Sequence, residues 1–278
     1  MSLPHARGSG FTSAIADALE TVSFIRERRR YYRQFRPAKR HSANSFLFDA
    51  LSRDGVVILP DFLPRENVRE MLAAVPPLTL FRESPEGDRA LFLPDADRIP
   101  ELDPFFANAT VAALASAYIS PDAVALRRTI GIKYVPGAIP TFEMFHHIDT
   151  WQHRLKAWLY LDDVGPEQAP MAYLRGSHKP SNWRLAVEKV VARRYHTTPD
   201  GYATDDSLYI GCVWPHEAQL LRQRYGFDEI MCAGAAGTLV MFDSRGLHRA
   251  TPLVSGRRIV LLSYWVHAPD YAGSRRDT

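Results

Sequence analysis

Hydrophobic and polar positions recur with two different periods along this chain, and the change falls near residue 126. Upstream, Ile15, Leu19, Val22 and the Phe24-Ile25 pair recur at helical spacing within residues 13–35, and Pro37 ends the run. The stretch "DGVVILPDFLP" (54–64) predicts a turn, a short strand and a stop. Pro64, followed by "RENVREMLAAV", predicts a helix with proline at its start. Residues 76–104 are rich in Pro, Asp and Glu and predict loop. "ANATVAALASAYI" (107–119) predicts another helix.

Downstream the period shortens to two. "LRRTIGIKYV" (126–135) alternates, is β-branched and stops at Pro136-Gly137. Further strand-like runs follow: "EMFHHID" (143–149), "LKAWLYLDDV" (155–164), "PMAYLRGS" (170–177), "GTLVMFDS" (237–244), "GLHRATPL" (246–253) and "RRIVLLSYWVH" (257–267). Short strands broken by turn residues predict a sandwich or barrel. A polar, partly helical insertion interrupts them over residues 180–230. No internal repeat is visible. The predicted organisation is one domain. Residues 1–125 form a mostly helical N-terminal layer, 126–267 form the β core, and 180–230 form an excursion near its mouth.

Composition adds bounds. With 278 residues, 46% of them hydrophobic, the chain is long enough to bury its core without staples. Its two cysteines, Cys212 and Cys232, build no disulfide framework, which makes a reducing, cytoplasmic setting the expectation. No run suits a signal peptide or a membrane span. Charge is uneven. Over residues 26–40 eight basic residues stand against Glu27 alone, a net +7, so the rest of the chain is net −4 for a total of +3. That segment can meet an acidic partner, lie as a solvated helix face, or dock on its own domain.

Candidate chemistry concentrates in "FHHIDTWQH" (145–153), where three histidines and an aspartate share nine residues. On a strand, residues two apart point the same way, which joins His147 to Asp149 and sends His146 to the opposite face. A helix would instead pair Asp149 with His153, but Pro136, Gly137 and Pro140 precede the segment and a strand-like run follows. Two histidines and one carboxylate on one face are a common iron(II) set. A lone H-x-D is a weak signal, so a third ligand must come from elsewhere. His248, after a buried-looking strand and a tight turn, is the best candidate. His178 in "RGSHK" is second.

Taken in order, "HID" (147–149), "WLYLDDV" (158–164), "YLRGSHK" (173–179), "GTLVMFDSRGLHRATP" (237–252) and "GRRIVLLSYW" (256–265) resemble the phytanoyl-CoA dioxygenase family of Fe(II)/2-oxoglutarate oxygenases. The resemblance spans roughly 126–267, and "DGVVILPDFLP" fits the family's opening strand. It implies a double-stranded β-helix core (jelly roll, cupin-like), with iron held by His147, Asp149 and His248. It also implies that an arginine at the start of the last strand binds the far carboxylate of 2-oxoglutarate. A guanidinium fork matches a carboxylate in a way lysine does not. Arg257 and Arg258 are the candidates, and counting back from the aromatic "SYW" favours Arg257. "RGSHK" matches the family's Pro-Gly-Ser-His turn with Arg175 in place of proline, which makes His178 a turn residue. His153, His196, His216 and His267 carry no ligand signal.

The implied reaction uses O2 and 2-oxoglutarate to oxidise a small-molecule substrate of natural-product, amino-acid or acyl type, releasing succinate and CO2. Related halogenases lack the carboxylate ligand, so Asp149 favours hydroxylation. Desaturation and epoxidation share the same ligands. Two rivals stand beside this reading. A cupin-like metal-binding module would favour three histidines and needs no arginine. A nucleic-acid binder would use residues 26–40, but no matching motif is present, so neither nucleic acid nor membrane is an expected partner.

Overall fold

Alternation sorts the side chains of each strand onto two faces, and that sorting builds the molecule. The computed structural model describes residues 8–35, 45–84, 90–137, 142–197 and 211–269. A larger antiparallel sheet is formed by β1 (Val56–Leu59), β2 (Arg82–Glu83), β3 (Ala90–Leu93), β4 (Ala123–Lys133), β6 (Arg154–Tyr160), β10 (Leu239–Asp243) and β12 (Arg258–His267). Its order is β1-β10-β6-β12-β4-β3-β2. A smaller one is formed by β5 (His146–Ile148), β7 (Met171–Leu174), β8 (Gly211–Val213), β9 (Glu229–Cys232) and β11 (His248–Arg249), in the order β8-β5-β11-β7-β9.

On β6, β10 and β12 the even-numbered residues Trp158, Tyr160, Val240, Phe242, Val260 and Leu262 meet Met171, Tyr173 and Cys232 of the smaller sheet. They fill the lumen of a double-stranded β-helix, or jelly roll. The odd-numbered Leu155, Leu159, Leu239, Met241, Ile259 and Leu261 turn outward into a second core. There they meet a helical layer of α2 (Ser45–Asp54), α3 (Arg65–Ala73), α4 (Asp103–Phe106) and α5 (Ala109–Tyr118). α3 follows Pro64 as its sequence predicts, and the Asn108 side chain caps α5 by accepting from the Thr110 and Val111 amides.

Two expectations change. The strand expected within 54–64 is β1, which pairs with β10, but the stretch 76–104, expected as loop, also contributes strands: β2 with β3 forms a hairpin beside β4. The run "ALFL" is too short to show a period, and its strand exists because β4 offers an edge. Within 180–230 lie α6 (Asn182–Thr197), β8 and α7 (Pro215–Tyr225). β8 is part of the barrel, pairing Cys212 with His147.

The basic segment docks on its own domain through the part that is described; residues 36–40 lie outside the described residues. It forms the end of α1 (Gly8–Gln34). Arg28 stacks 3.6 Å over the Trp151 ring. The Tyr32 hydroxyl donates to the Trp151 carbonyl at 2.7 Å, and the Tyr31 hydroxyl accepts the His153 amide at 3.0 Å. α1 thus grips the loop that follows Asp149. Among the described residues no helix is long and apolar enough to cross a membrane.

Candidate metal centre

Neighbouring strands of the smaller sheet bring two imidazoles together. His147 on β5 and His248 on β11 are direct register partners, with ring centroids 4.4 Å apart. Strand alternation sends the flanking residues outward: Ile148 joins a cluster with Leu174 and Leu247, and His146 reaches Glu229 at 3.2 Å. Asp149 follows directly, and its amide donates to the Ser244 carbonyl at 3.2 Å, which ties the loop to the end of β10. Asp149 Oδ1 lies 3.7 Å from His147 Nε2 and 3.4 Å from His248 Nε2. One ligand atom from each of the three residues falls within 4.8 Å of the other two.

Both rings are oriented for a cation. His147 Nδ1 is 2.9 Å from the Phe145 carbonyl and His248 Nδ1 is 2.8 Å from the Gly246 carbonyl. A carbonyl only accepts, so each Nδ1 carries a proton and each Nε2 is the ring nitrogen turned toward Asp149. Burial, reinforced by His248, lowers the His147 pKa to about 3 and keeps the ring neutral. Burial works to raise the Asp149 carboxyl, but Lys156 and then His248 outweigh it and hold the group well below the usual carboxylate range. Two imidazoles and one carboxylate fit a divalent iron with positions left open.

Supporting groups surround the ligands. Gly246 precedes His248 where the Tyr173 hydroxyl fills the place a side chain would take, so "RGLH" needs its glycine. Glu229 binds His146 and, at 2.8 Å, Arg249 Nε, while its other oxygen accepts from Arg222 of α7 at 3.1 Å. It thereby ties both ligand-bearing strands together from outside. Lys156, which the sequence reading missed, lies in the lumen with Nζ 2.6 Å from Asp149 Oδ2. Its even number in "LKAWLYL", in phase with Trp158 and Tyr160, was the available signal.

The two candidate arginines take opposite faces, and the lumen receives Arg258. Its guanidinium is buried beside Trp158 and donates to the Ala169 carbonyl. Arg257 is exposed and grips Asp162 through Nε and Nη2 at 3.1 and 3.2 Å. Of the two candidates, Arg258 and not the favoured Arg257 lies in the lumen. On β12 Tyr264 faces Lys156 and Trp265 packs outward with the helical layer, so the even-numbered residues take the lumen face. Among the described residues the other histidines lie apart from the cluster. His153 sits 3.8 Å from Asp243, His178 contacts the Ser52 carbonyl at 3.3 Å, and His267 contacts Ser120. His216 lies in the first turn of α7, and the His196 side chain is outside the described residues.

Buried neutral histidines carry a pH cost. Burial lowers His178 to about 4 and His147 to about 3, and it lowers His153 as well, from an ordinary 6.5. Each takes up a proton in the unfolded chain before it does so in the fold. Metal-free protein is therefore expected to lose stability as pH falls from 6.5, by about 2 kcal/mol at pH 5 for each of His147 and His178. Glu229, held to about 2 by its His146 hydrogen bond, adds its own loss only below 4.5. A thermal midpoint that stays flat between pH 7 and pH 5 would count against these neutral histidines.

Residues 51–260 match the family model described as Phytanoyl-CoA dioxygenase (PhyH). Several solved structures share the fold. EctD from S. alaskensis, solved with 2-oxoglutarate and 5-hydroxyectoine, has a TM-score of 0.59 at 17% identity over 84% of this chain and 80% of its own. The epimerase SnoN, in complex with Fe3+, alpha ketoglutarate and nogalamycin RO, has a TM-score of 0.57 at 20% identity over 81% and 84%. HygX from Streptomyces hygroscopicus, with nickel and 2-oxoglutarate, has a TM-score of 0.53 at 15% identity over 82% and 87%. No curated protein sequence matches the chain.

Proposed function

Because the chain belongs to the phytanoyl-CoA dioxygenase family, a family of iron- and 2-oxoglutarate-dependent oxygenases, we propose that His147, Asp149 and His248 hold its iron(II) and that Arg258 anchors 2-oxoglutarate. The reaction we assign is hydroxylation of a small-molecule substrate. The observation that carries this reading is the convergence of two carbonyl-tethered imidazoles and one carboxylate on a single point of the lumen. The cupin-like alternative is less well supported, since the cluster holds a carboxylate where that scheme favours a third histidine.

When bound, iron and 2-oxoglutarate supply the oxidation: O2, 2-oxoglutarate and a substrate C–H give succinate, CO2 and a hydroxylated product. The protein's own share is placement and exclusion. The Phe145 and Gly246 carbonyls fix both imidazoles, and the Ser244 carbonyl fixes Asp149 from its amide. Arg258 offers a fork of donors inside a lumen of Trp158, Val260 and Leu262, where a carboxylate bond is little weakened by water. Asp149 supports hydroxylation over halogenation because it occupies the place a halide would need. The cytoplasmic setting belongs to the same reading, supported by a count of two cysteines, Cys212 and Cys232, which builds no disulfide framework.

Succinate release from 2-oxoglutarate, with iron(II), ascorbate and O2 supplied to the purified protein, tests the activity. Succinate no higher than in an iron-free control, across a panel of natural-product, amino-acid and acyl substrates, would count against it. The anchor has its own test. Arg258→Ala is expected to weaken 2-oxoglutarate binding at least about tenfold, as loss of a charge-assisted fork does, whereas Arg257→Ala changes it less than about twofold. The reverse pattern would return the role to Arg257.

A further inference from the structure

We infer that Lys156 is a positioning residue that fixes Asp149 as a single-oxygen ligand and sets the charge of the metal site. The inference rests on the proposed metal role of Asp149. The two carboxylate oxygens are already divided: Oδ1 faces His147 Nε2 and His248 Nε2 at 3.7 and 3.4 Å, and Oδ2 faces Lys156 Nζ at 2.6 Å. An ion bound among the three ligands meets Oδ1, while the ammonium holds Oδ2 away from it.

Lys156 is placed to do this without moving. It comes from β6 of the larger sheet, so its contact with Asp149 spans the lumen between the two sheets. Its cross-strand partners are Phe242 on β10 and Tyr264 on β12. The ammonium lies over both rings, 5.8 Å from the Phe242 centroid and 4.7 Å from that of Tyr264. Only 9% of the residue is exposed, so the pair is poorly screened by water.

A fixed positive charge beside the site acts in opposite directions on two ligands. It repels a divalent cation and attracts a dicarboxylate. It also keeps Asp149 from closing on the metal with both oxygens, which preserves an open position for the reaction. These effects separate the role from simple support, since a residue that only held the fold together would weaken both ligands when removed.

The full-length chain can be tested as Lys156→Met, as Lys156→Gln should the apolar variant fail to fold, and as Lys156→Arg, with His147→Ala as the metal control. Cobalt(II) is titrated by its visible spectrum and 2-oxoglutarate is then titrated into the cobalt form, with circular dichroism checking the fold. The neutral variants are expected to bind cobalt about tenfold more tightly, to change the shape of its visible spectrum, and to bind 2-oxoglutarate about tenfold more weakly. Lys156→Arg keeps the wild-type pattern. Unchanged affinities and spectrum in the neutral variants would overturn the inference, and so would a parallel loss of both ligands. If wild-type protein takes up no more cobalt than His147→Ala, the metal assignment itself fails and takes this inference with it.

Discussion

Alanine at His147 is expected to weaken divalent-metal binding by at least about a hundredfold, while the fold survives. Loss of a group that only supports a ligand already costs roughly 10–100-fold in affinity, and removal of the ligand itself costs no less. His147 has no counterpart able to replace it. His146 is held on the outer face by Glu229, and His153 and His178 lie in a separate polar cluster. The stability cost is small by comparison, because the ring is a buried neutral group whose loss also relieves its acid sensitivity. Isothermal titration with manganese(II) or cobalt(II), alongside a thermal melt, checks both halves. A variant that keeps wild-type metal affinity would remove His147 from the site.

Alanine at Asp243 is expected to act the other way round, costing about 3–5 kcal/mol of stability before any effect on metal is considered. Asp243 is fully buried and accepts from the Tyr118 hydroxyl at 2.8 Å and from the Arg245 amide at 2.9 Å, with the Arg245 guanidinium paired against it. Burial would raise its pKa, but Arg245 outweighs that and keeps it below the usual carboxylate range. Removing the carboxylate strands a buried guanidinium. Arg245 could not turn to another acid easily, since its carbonyl is held by Arg184, which is itself paired with Glu188 at 2.8 Å. For a chain of this size the melting midpoint should fall by roughly 10 °C. Because Ser244, the next residue, accepts the Asp149 amide, metal affinity should weaken as well. A midpoint within about 2 °C of wild type would mean that the pair contributes little.

How much of this was legible follows from what alternation can and cannot report. The H-x-D spacing separated His147 from His146 because strand faces are a local property, and the structure puts the two rings on opposite sides of β5. His248 was reachable through the ordered set of motifs, although its pairing with His147 is a contact between distant parts of the chain. Which of Arg257 and Arg258 enters the lumen turned on one step of parity that the aromatic "SYW" run does not fix, since Tyr264 faces Lys156 while Trp265 packs outward. Lys156 and Glu229 were missed for a related reason. Each is an ordinary charged residue in sequence and gains meaning only when β6 faces β5 or β9 brings its carboxylate to β5 and β11. The short strands β2 and β3 show no period of their own, and the strand identity of β8 depends on the free edge of β5.

The most direct measurement is an anaerobic titration of 2-oxoglutarate into the purified chain with and without iron(II), repeated for Asp149→Ala. One equivalent of 2-oxoglutarate should bind the iron-loaded wild type, at least about tenfold more tightly than the metal-free protein, and Asp149→Ala should lose that difference. Equal binding with and without iron, or the same iron dependence in Asp149→Ala, would contradict a metal centre built from His147, Asp149 and His248.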